Sequence, residues 1–550
     1  MTRFLSGLAL LALTPCVLGA TAPQPAPRPN ILLVIADDLG YSDPGCYGGE
    51  IRTPNLDRLA AEGVRFTQFY NCGVCWATRT SLMTGYYPRQ TGCDPYNGNK
   101  YATWTLPLPR MLGALGYRTY HSGKWHVSAT GCASAHAAGF DHAYDDAQGW
   151  LDYTPFYHAL DGKTLPRPKP EDGYFMDDAI ASHMVDFLGE HFKDHARQPF
   201  FAYLAFHGPH YPLKAPEKYV IPYKGAYQAG WDAVRQQRHQ KLAALGFPPN
   251  WKLSPPEPEV QSPFTPPTEE ARRRQNEKLG FEDVYGLVPW DKLDAKQQRE
   301  QAAKMEIHAA MVSCIDENVG RVMALLEQHG ALDNTLVLFL SDNGAAACQL
   351  LHDAQMKPPL LYEIDKKARW GSENTCLALG PAWANVSNTP FRQYKLWSHE
   401  GGIATPLIAR WPKGITLPPG NFVSTPGLVT DFVPTLLELA GGSIGRATPE
   451  APPFPGRSLL PALHGEEVAR DHLYWNRGGN RALIQGNWKI TTSSTDAKRW
   501  ELYDLQTDRT ETRNLAKAMP EKLRSLVEVW RDADNRYGDQ CGFPETPGIE

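Results

Sequence analysis

Four predicted strands in this chain each run straight into a cluster of polar residues, and that repetition constrains the fold more than any other feature. Asn30-Ile31-Leu32-Leu33-Val34-Ile35-Ala36 ends at Asp37-Asp38-Leu39-Gly40, and Tyr117 to Ser122 ends at Gly123-Lys124-Trp125-His126. Phe200 to Phe206 leads into His207-Gly208-Pro209-His210, and Leu336 to Leu340 into Ser341-Asp342-Asn343-Gly344. Unbroken apolar, β-branched runs read as strands buried on both faces. Helical spacing lies between them. Thr53-Pro54-Asn55 opens a helix carrying Leu56, Leu59, Ala60 and Val64, with Gly63 near its end; a second helix spans Pro107 to Leu115. Asp294 is placed to cap a long helix ending at Gly330, with Met305, Met311, Val312, Ile315, Val319, Val322 and Leu326 as its core stripe. The alternation predicts an α/β fold with a large, mainly parallel sheet flanked by helices. Ligands of such sheets bind at the carboxyl ends of the strands, so the four clusters are expected to meet along one edge.

At 550 residues the chain is too long for one domain to be expected to hold all of it. A catalytic domain over 30–465 is expected, with a Pro-, Gln-, Arg- and Lys-rich stretch at 213–295 read either as an insertion rimming the site or as a surface loop. A C-terminal subdomain over 466–550 follows. It carries a hairpin of residues 481–484 and 488–491 around Gln485-Gly486-Asn487, a further strand near Trp500 to Leu505, and a helix from Pro520 to Tyr537. Arg3, the apolar run Leu5 to Leu13 and Ala20-Thr21-Ala22 form a secretory signal over 1–22, followed by a Pro-rich linker, 23–29. Export to a periplasm or to the medium, with no transmembrane anchor, is the expectation. A net charge of −5 argues against nucleic acid as a partner, and an anionic substrate would need positive charge supplied locally. Ten cysteines in an exported chain leave disulfide pairing open.

Asp37, Asp38, Asp342 and Asn343 are oxygen donors, the set that a hard divalent cation takes; Ca²⁺ tolerates its irregular geometry better than Mg²⁺. Three carboxylates buried together would be costly without a cation. Cys75, in Cys75-Trp76-Ala77-Thr78-Arg79, reads in isolation as a core thiol or as half a disulfide with Cys72 or Cys93. A helix predicted from about Thr78 puts it where a helix start favours an anion, with Arg79 able to hold it. Lys124 and His126 lie two apart, and extended geometry would turn both to one side.

The run from Cys75 to Gly85, with Asp37-Asp38, Gly123-Lys124-Trp125-His126, Gly208-Pro209-His210, Asp342-Asn343-Gly344 and Lys395 in the same order, resembles type I sulfatases of the alkaline phosphatase superfamily. The resemblance spans about residues 29–515 and includes Lys395-x4-Glu400-Gly401-Gly402, whose Glu-Gly-Gly reads as a turn. It implies oxidation of Cys75 to formylglycine (3-oxoalanine) by a formylglycine-generating or radical maturation enzyme. The hydrate of that group would attack sulfur beside one Ca²⁺ and count as a ligand with Asp37, Asp38, Asp342 and Asn343. His126 would be the base on its second hydroxyl, and Lys124 and Lys395 would neutralise sulfate oxygens. His210, rather than His207, would protonate the leaving alcohol. The implied activity is hydrolysis of aryl or carbohydrate sulfate monoesters, with a sulfated small molecule or glycan as the partner. Two alternatives stay open: a phosphonate monoester or phosphodiester hydrolase of the same superfamily, and an inactive sulfated-glycan binder. Loops around Tyr96, Trp150 and Trp383 would shape specificity.

Overall fold

Every side chain of the strands Phe200–Ala205 and Thr335–Ser341 is buried, as is Ile31 to Ala36 in the strand Asn30–Ala36. Such strands need protein on both faces, and they form the centre of a ten-stranded sheet in the computed structural model of the chain. The structure describes residues 28–93, 100–146, 153–155, 157–257, 268–349, 365–493 and 496–542. The signal, most of the linker, Tyr96 and Trp150 lie outside them.

Five adjacent strands run parallel: Thr335–Ser341, Asn30–Ala36, Phe200–Ala205, Arg118–Lys124 and His142–Asp146. Their register pairs Ala36 with Ser341, and both Ile35 and Gly123 with Ala205, so the strands end level with one another. Leu407–Arg410 then joins Thr335–Ser341 antiparallel, which makes the sheet mixed but mostly parallel. Helices cover it. The long helix Ala295–Gln328 begins with a capping box in which Asp294 accepts from Lys296 N and Gln297 N and Gln297 reaches back. Its predicted stripe is buried throughout. The first helix, Pro54–Glu62, is shorter than the apolar spacing suggests, because Val64 begins the strand Val64–Phe66. Gly63 makes that turn against Ala409, whose carbonyl oxygen would lie 2.2 Å from a Cβ at this position.

The stretch after residue 213 carries the helices Glu217–Val220 and Gly230–Ala244. Arg238 is wholly buried there and donates to Asp43 and Glu50. Trp383 lies in the helix Pro381–Ser387, fully buried with its ring 5.6 Å from those of Tyr227 and Trp231. Trp383 itself is therefore part of the core.

A separate four-stranded antiparallel sheet follows: Leu473–Arg477, Asn480–Gln485, Trp488–Ser493 and Asp496–Asp504. The expected hairpin is present, its first strand running one residue further towards the turn than expected, so that Gln485 pairs with Trp488 across Gly486-Asn487, where Gly486 has a φ of 57°. The helix Pro520–Asp539 packs on the sheet through Leu526, Trp530 and Ala533. No helix among the described residues is long and apolar enough to cross a membrane.

Charge joins this sheet to the loop before it. Glu501 Oε2 lies 2.8 Å from His399 Nε2 and 3.5 Å from Arg392 Nη1, and Tyr503 donates to it. Burial would raise the Glu501 carboxyl, but His399, Arg392 and Tyr503 hold it down at about 2. A carboxylate below its unfolded value of 4.5 adds stability that is complete above that value and is lost as pH falls towards 2. Denaturant midpoints measured from pH 5 to 2 should therefore fall more steeply for the native chain than for Glu501→Gln. Equal slopes would remove Glu501 from the acid response.

Candidate active site

The level strand ends put Asp37 and Asp342 side by side. Asp342 N donates to Ala36 O at 3.2 Å, and Asp38 N donates to Asp342 Oδ1 at 3.2 Å. Asp38 takes a left-handed φ of 65°, which folds its side chain back towards the sheet edge. There Asp38 Oδ1 accepts from Asn343 Nδ2 and from Lys395 Nζ, both at 2.6 Å. Lys124, the last residue of its strand, donates to Asp37 Oδ2.

Cys75 is the first residue of the helix Cys75–Thr84, three residues earlier than the sequence suggested. Val74 is its N-cap and forms no side-chain cap. The start is fixed from outside: Thr78 Oγ1 accepts from Cys72 N at 2.9 Å and donates to Asp342 O at 2.7 Å. Nine of this helix's ten residues are buried, among them Thr78, Arg79, Thr80, Ser81 and Thr84. So many buried polar side chains mark a helix held by hydrogen bonds rather than by an apolar stripe. Arg79 directs Nε and Nη2 at Asp342 Oδ2, each at 2.9 Å, and Nη1 at Lys124 O at 2.9 Å; Asp37 Oδ2 lies 3.9 Å from Nη2.

Donor atoms of Asp37, Cys75 and Asp342 lie within 4.8 Å of one another, and so do those of Asp37, Asp38 and His210. His210 is buried, with Nε2 3.6 Å from Asp38 Oδ2 and Nδ1 2.6 Å from Tyr211 O. His207 lies deeper, and its N–H donates to Asp177 instead. Nine of the ten predicted residues thus form one contact network. His126 stands outside it: its side chain is exposed, and it makes no hydrogen bond among the described residues. Its φ of 48° is not extended, so Lys124 and His126 are not related by strand geometry as expected.

Burial would raise the Asp37 carboxyl, but Lys124, His210, Arg79 and Lys395 hold it well below the ordinary range. Burial and the charge of Asp37 push Asp342 up to about 7, against the pull of Arg79 and Lys124. Lys395 is held well above its usual value by Asp38, against the cost of its burial. Burial, against the raising charges of Asp38 and Asp37, lowers His210 to about 4. His126 is also lowered, by the protein around it and by the charges of Lys124 and Arg79, although its side chain reaches solvent. Asp37 Oδ1, Asp38 Oδ2 and Asn343 Oδ1 are buried oxygens without a hydrogen-bond partner.

Sequence reasoning missed Thr78 and took Glu400 for part of a turn. Glu400 is fully buried, accepting from Lys489 Nζ at 2.7 Å and paired with Arg509. The glycines beside it do serve close packing: a Cβ on Gly401 would lie 2.3 Å from Gln393 O, and one on Gly344 would lie 1.8 Å from Gly401 O. The nine described cysteines form no disulfide with one another.

The family model described as "Sulfatase" matches residues 29–443, and the model "N-sulphoglucosamine sulphohydrolase, C-terminal" matches 392–529. An uncharacterized sulfatase of Schizosaccharomyces pombe is 32% identical over 92% of this chain and 93% of its own length. An arylsulfatase of Klebsiella aerogenes is 32% identical over 80% of this chain and 92% of its own. Among solved structures, Ps i-CgsB in complex with k-i-k-neocarrahexaose superposes with a TM-score of 0.63 at 22% identity, covering 94% of this chain and 95% of the other.

Proposed function

The chain belongs to the sulfatase family, as a type I sulfatase of the alkaline phosphatase superfamily, and from that premise we propose that Cys75 supplies its nucleophile after oxidation to formylglycine. The enzyme is a sulfuric ester hydrolase. The proposed substrates are aryl or carbohydrate sulfate monoesters, in keeping with the arylsulfatase relative and the oligosaccharide-bound neighbour.

One observation carries the reading: Asp37, Asp38, Asp342, Asn343 and Cys75 gather at one sheet edge with three oxygens accepting no hydrogen bond. That donor set fits Ca²⁺, which would relieve the repulsion that raises Asp342. When bound, calcium and the formylglycine hydrate supply a Lewis acid and an activated oxygen nucleophile. The protein's own residues do the rest. Arg79 fixes Asp342, Lys124 fixes Asp37 and Lys395 fixes Asp38, so three carboxylates and three permanent cations balance. A divalent cation added to that balance leaves the positive charge that an anionic ester needs. His210 Nδ1 donates to Tyr211 O, which leaves Nε2 as the titrating atom facing the site. The charge of a bound ester would raise this imidazole and let it deliver a proton to the departing oxygen. His126 keeps the base role that the family resemblance gives it only as a proposal, since it stands outside this network and its neighbours lower its affinity for a proton. The Cys75 side chain is 5% exposed, so its maturation enzyme is expected to act before the chain closes around it. The same reading has residues 1–22 removed on export, with the catalytic domain at 30–465 and the C-terminal subdomain at 466–550.

Turnover of an aryl sulfate and an aryl phosphate diester by one preparation tests the reaction class. The sulfate is expected to be favoured in kcat/KM, and a strong preference for the diester overturns the reading. Lys124→Ala should lower kcat by roughly 10²–10³-fold, the effect of losing one positioned donor. Wild-type kcat in that variant would remove Lys124 from the site.

A further inference from the structure

Four charged side chains, Glu400, Lys489, Arg509 and Glu511, meet where the C-terminal sheet touches the loop that carries Lys395. All four are at most 2% exposed. Lys489 Nζ lies 2.7 Å from Glu400 Oε1 and 2.7 Å from Glu511 Oε1, Arg509 pairs with Glu400 Oε2, and Glu400 N donates to Glu511 Oε2 at 2.9 Å. The charges cancel. Buried ion pairs often stabilise no more than an apolar contact of the same volume, so what distinguishes such a quartet is the fixed orientation of its members.

What it orients is the stretch 392–402. Gly401 N donates to Arg392 O at 2.9 Å, closing that stretch into a loop, and Gly402 O accepts from Gly344 N beside Asn343. Arg392 and His399, on either side of Lys395, are held by Glu501 of the same C-terminal sheet. Within the loop, Gln393 and Leu396 take left-handed φ values of 63° and 84°, conformations that side-chain-bearing residues keep only when their surroundings impose them. Lys395 is thus aimed at Asp38 by a loop whose anchors lie on the other sheet.

We propose that Lys489 is a positioning residue for the sulfatase reaction: through Glu400 it holds the loop that places the Lys395 ammonium against Asp38 and the substrate anion. The inference rests on the anion-site role given to Lys395 above. Its test is a double-mutant cycle of Lys489→Met and Lys395→Ala, read as kcat/KM on an aryl sulfate, with Lys489→Arg as the conservative rescue. Lys489→Met should lower kcat/KM by about 10- to 100-fold, the cost of a displaced catalytic group. Lys395→Ala should then cost far less in the Lys489→Met background than in the native one, and Lys489→Arg should recover part of the loss. Wild-type kcat/KM in folded Lys489→Met, or an equal cost of Lys395→Ala in both backgrounds, overturns the proposal. If Lys395→Ala has no effect in the native background, it is the role of Lys395 that fails. Should Lys489→Met not fold, Glu501→Gln, at a part-exposed position holding the same loop, takes its place in the cycle: a reduced cost of Lys395→Ala supports the proposal, and an equal cost overturns it.

Discussion

Cys75→Ser is expected to lower kcat on an aryl sulfate by about 10⁴–10⁶-fold, the loss that follows removal of a catalytic nucleophile. The substitution changes one buried atom and touches none of the hydrogen bonds that fix the helix start, which run through Thr78. Folding should be unaffected, so the loss is chemical. A serine at this position would stop any turnover at a covalent ester, because a single hydroxyl offers no second oxygen from which to expel sulfate. Thermal unfolding separates the two explanations: an unchanged midpoint with vanished turnover supports the nucleophile, whereas near-native turnover excludes it.

Removal of the proposed calcium is expected to give the second large effect. Exhaustive chelation should cut activity by about 10²-fold or more, as expected when a preorganised electrostatic element is lost. It should also lower stability, since a ligand at a hundred times its Kd contributes about 2.7 kcal/mol to the folded state. The physical cause is local. Asp37 and Asp342 are both buried and repel one another, and three buried oxygens, of Asp37, Asp38 and Asn343, accept no hydrogen bond from the described residues. Calcium added back should restore both activity and melting temperature. Full activity after chelation, with an unshifted melting temperature, would leave the oxygen cluster without its assigned ligand.

Much of this site was legible because strand ends announce themselves. Asn30–Ala36 and Thr335–Ser341 are unbroken apolar runs, and the residues just after them hold the donor atoms. The strands His142–Asp146 and Leu407–Arg410 were not predicted; one is polar and the other only four residues long, and pairing with longer neighbours makes them strands. The start of the Cys75 helix was misplaced because no capping residue precedes it and Thr78 is fixed by a residue 264 positions away. His126 defied the two-residue spacing argument because its backbone is left-handed, which a histidine's letter does not reveal. Trp383 marked a loop expected to shape specificity, but the residue itself is core, its indole N–H donating to Gln301 O. The partners of Glu400 were hidden because Lys489, in the strand Trp488–Ser493, and Arg509, just past the strand Asp496–Asp504, lie 89 and 109 residues further on, and the sequence does not encode locally how that sheet docks.

The mass of the peptide spanning residues 72–89, taken from fully active protein, tests the central claim most directly. The expected result is a peptide carrying an aldehyde, or its hydrate, in place of the Cys75 thiol, in proportion to specific activity. A preparation that turns over sulfate esters at full rate while this peptide shows only thiol or disulfide would contradict it.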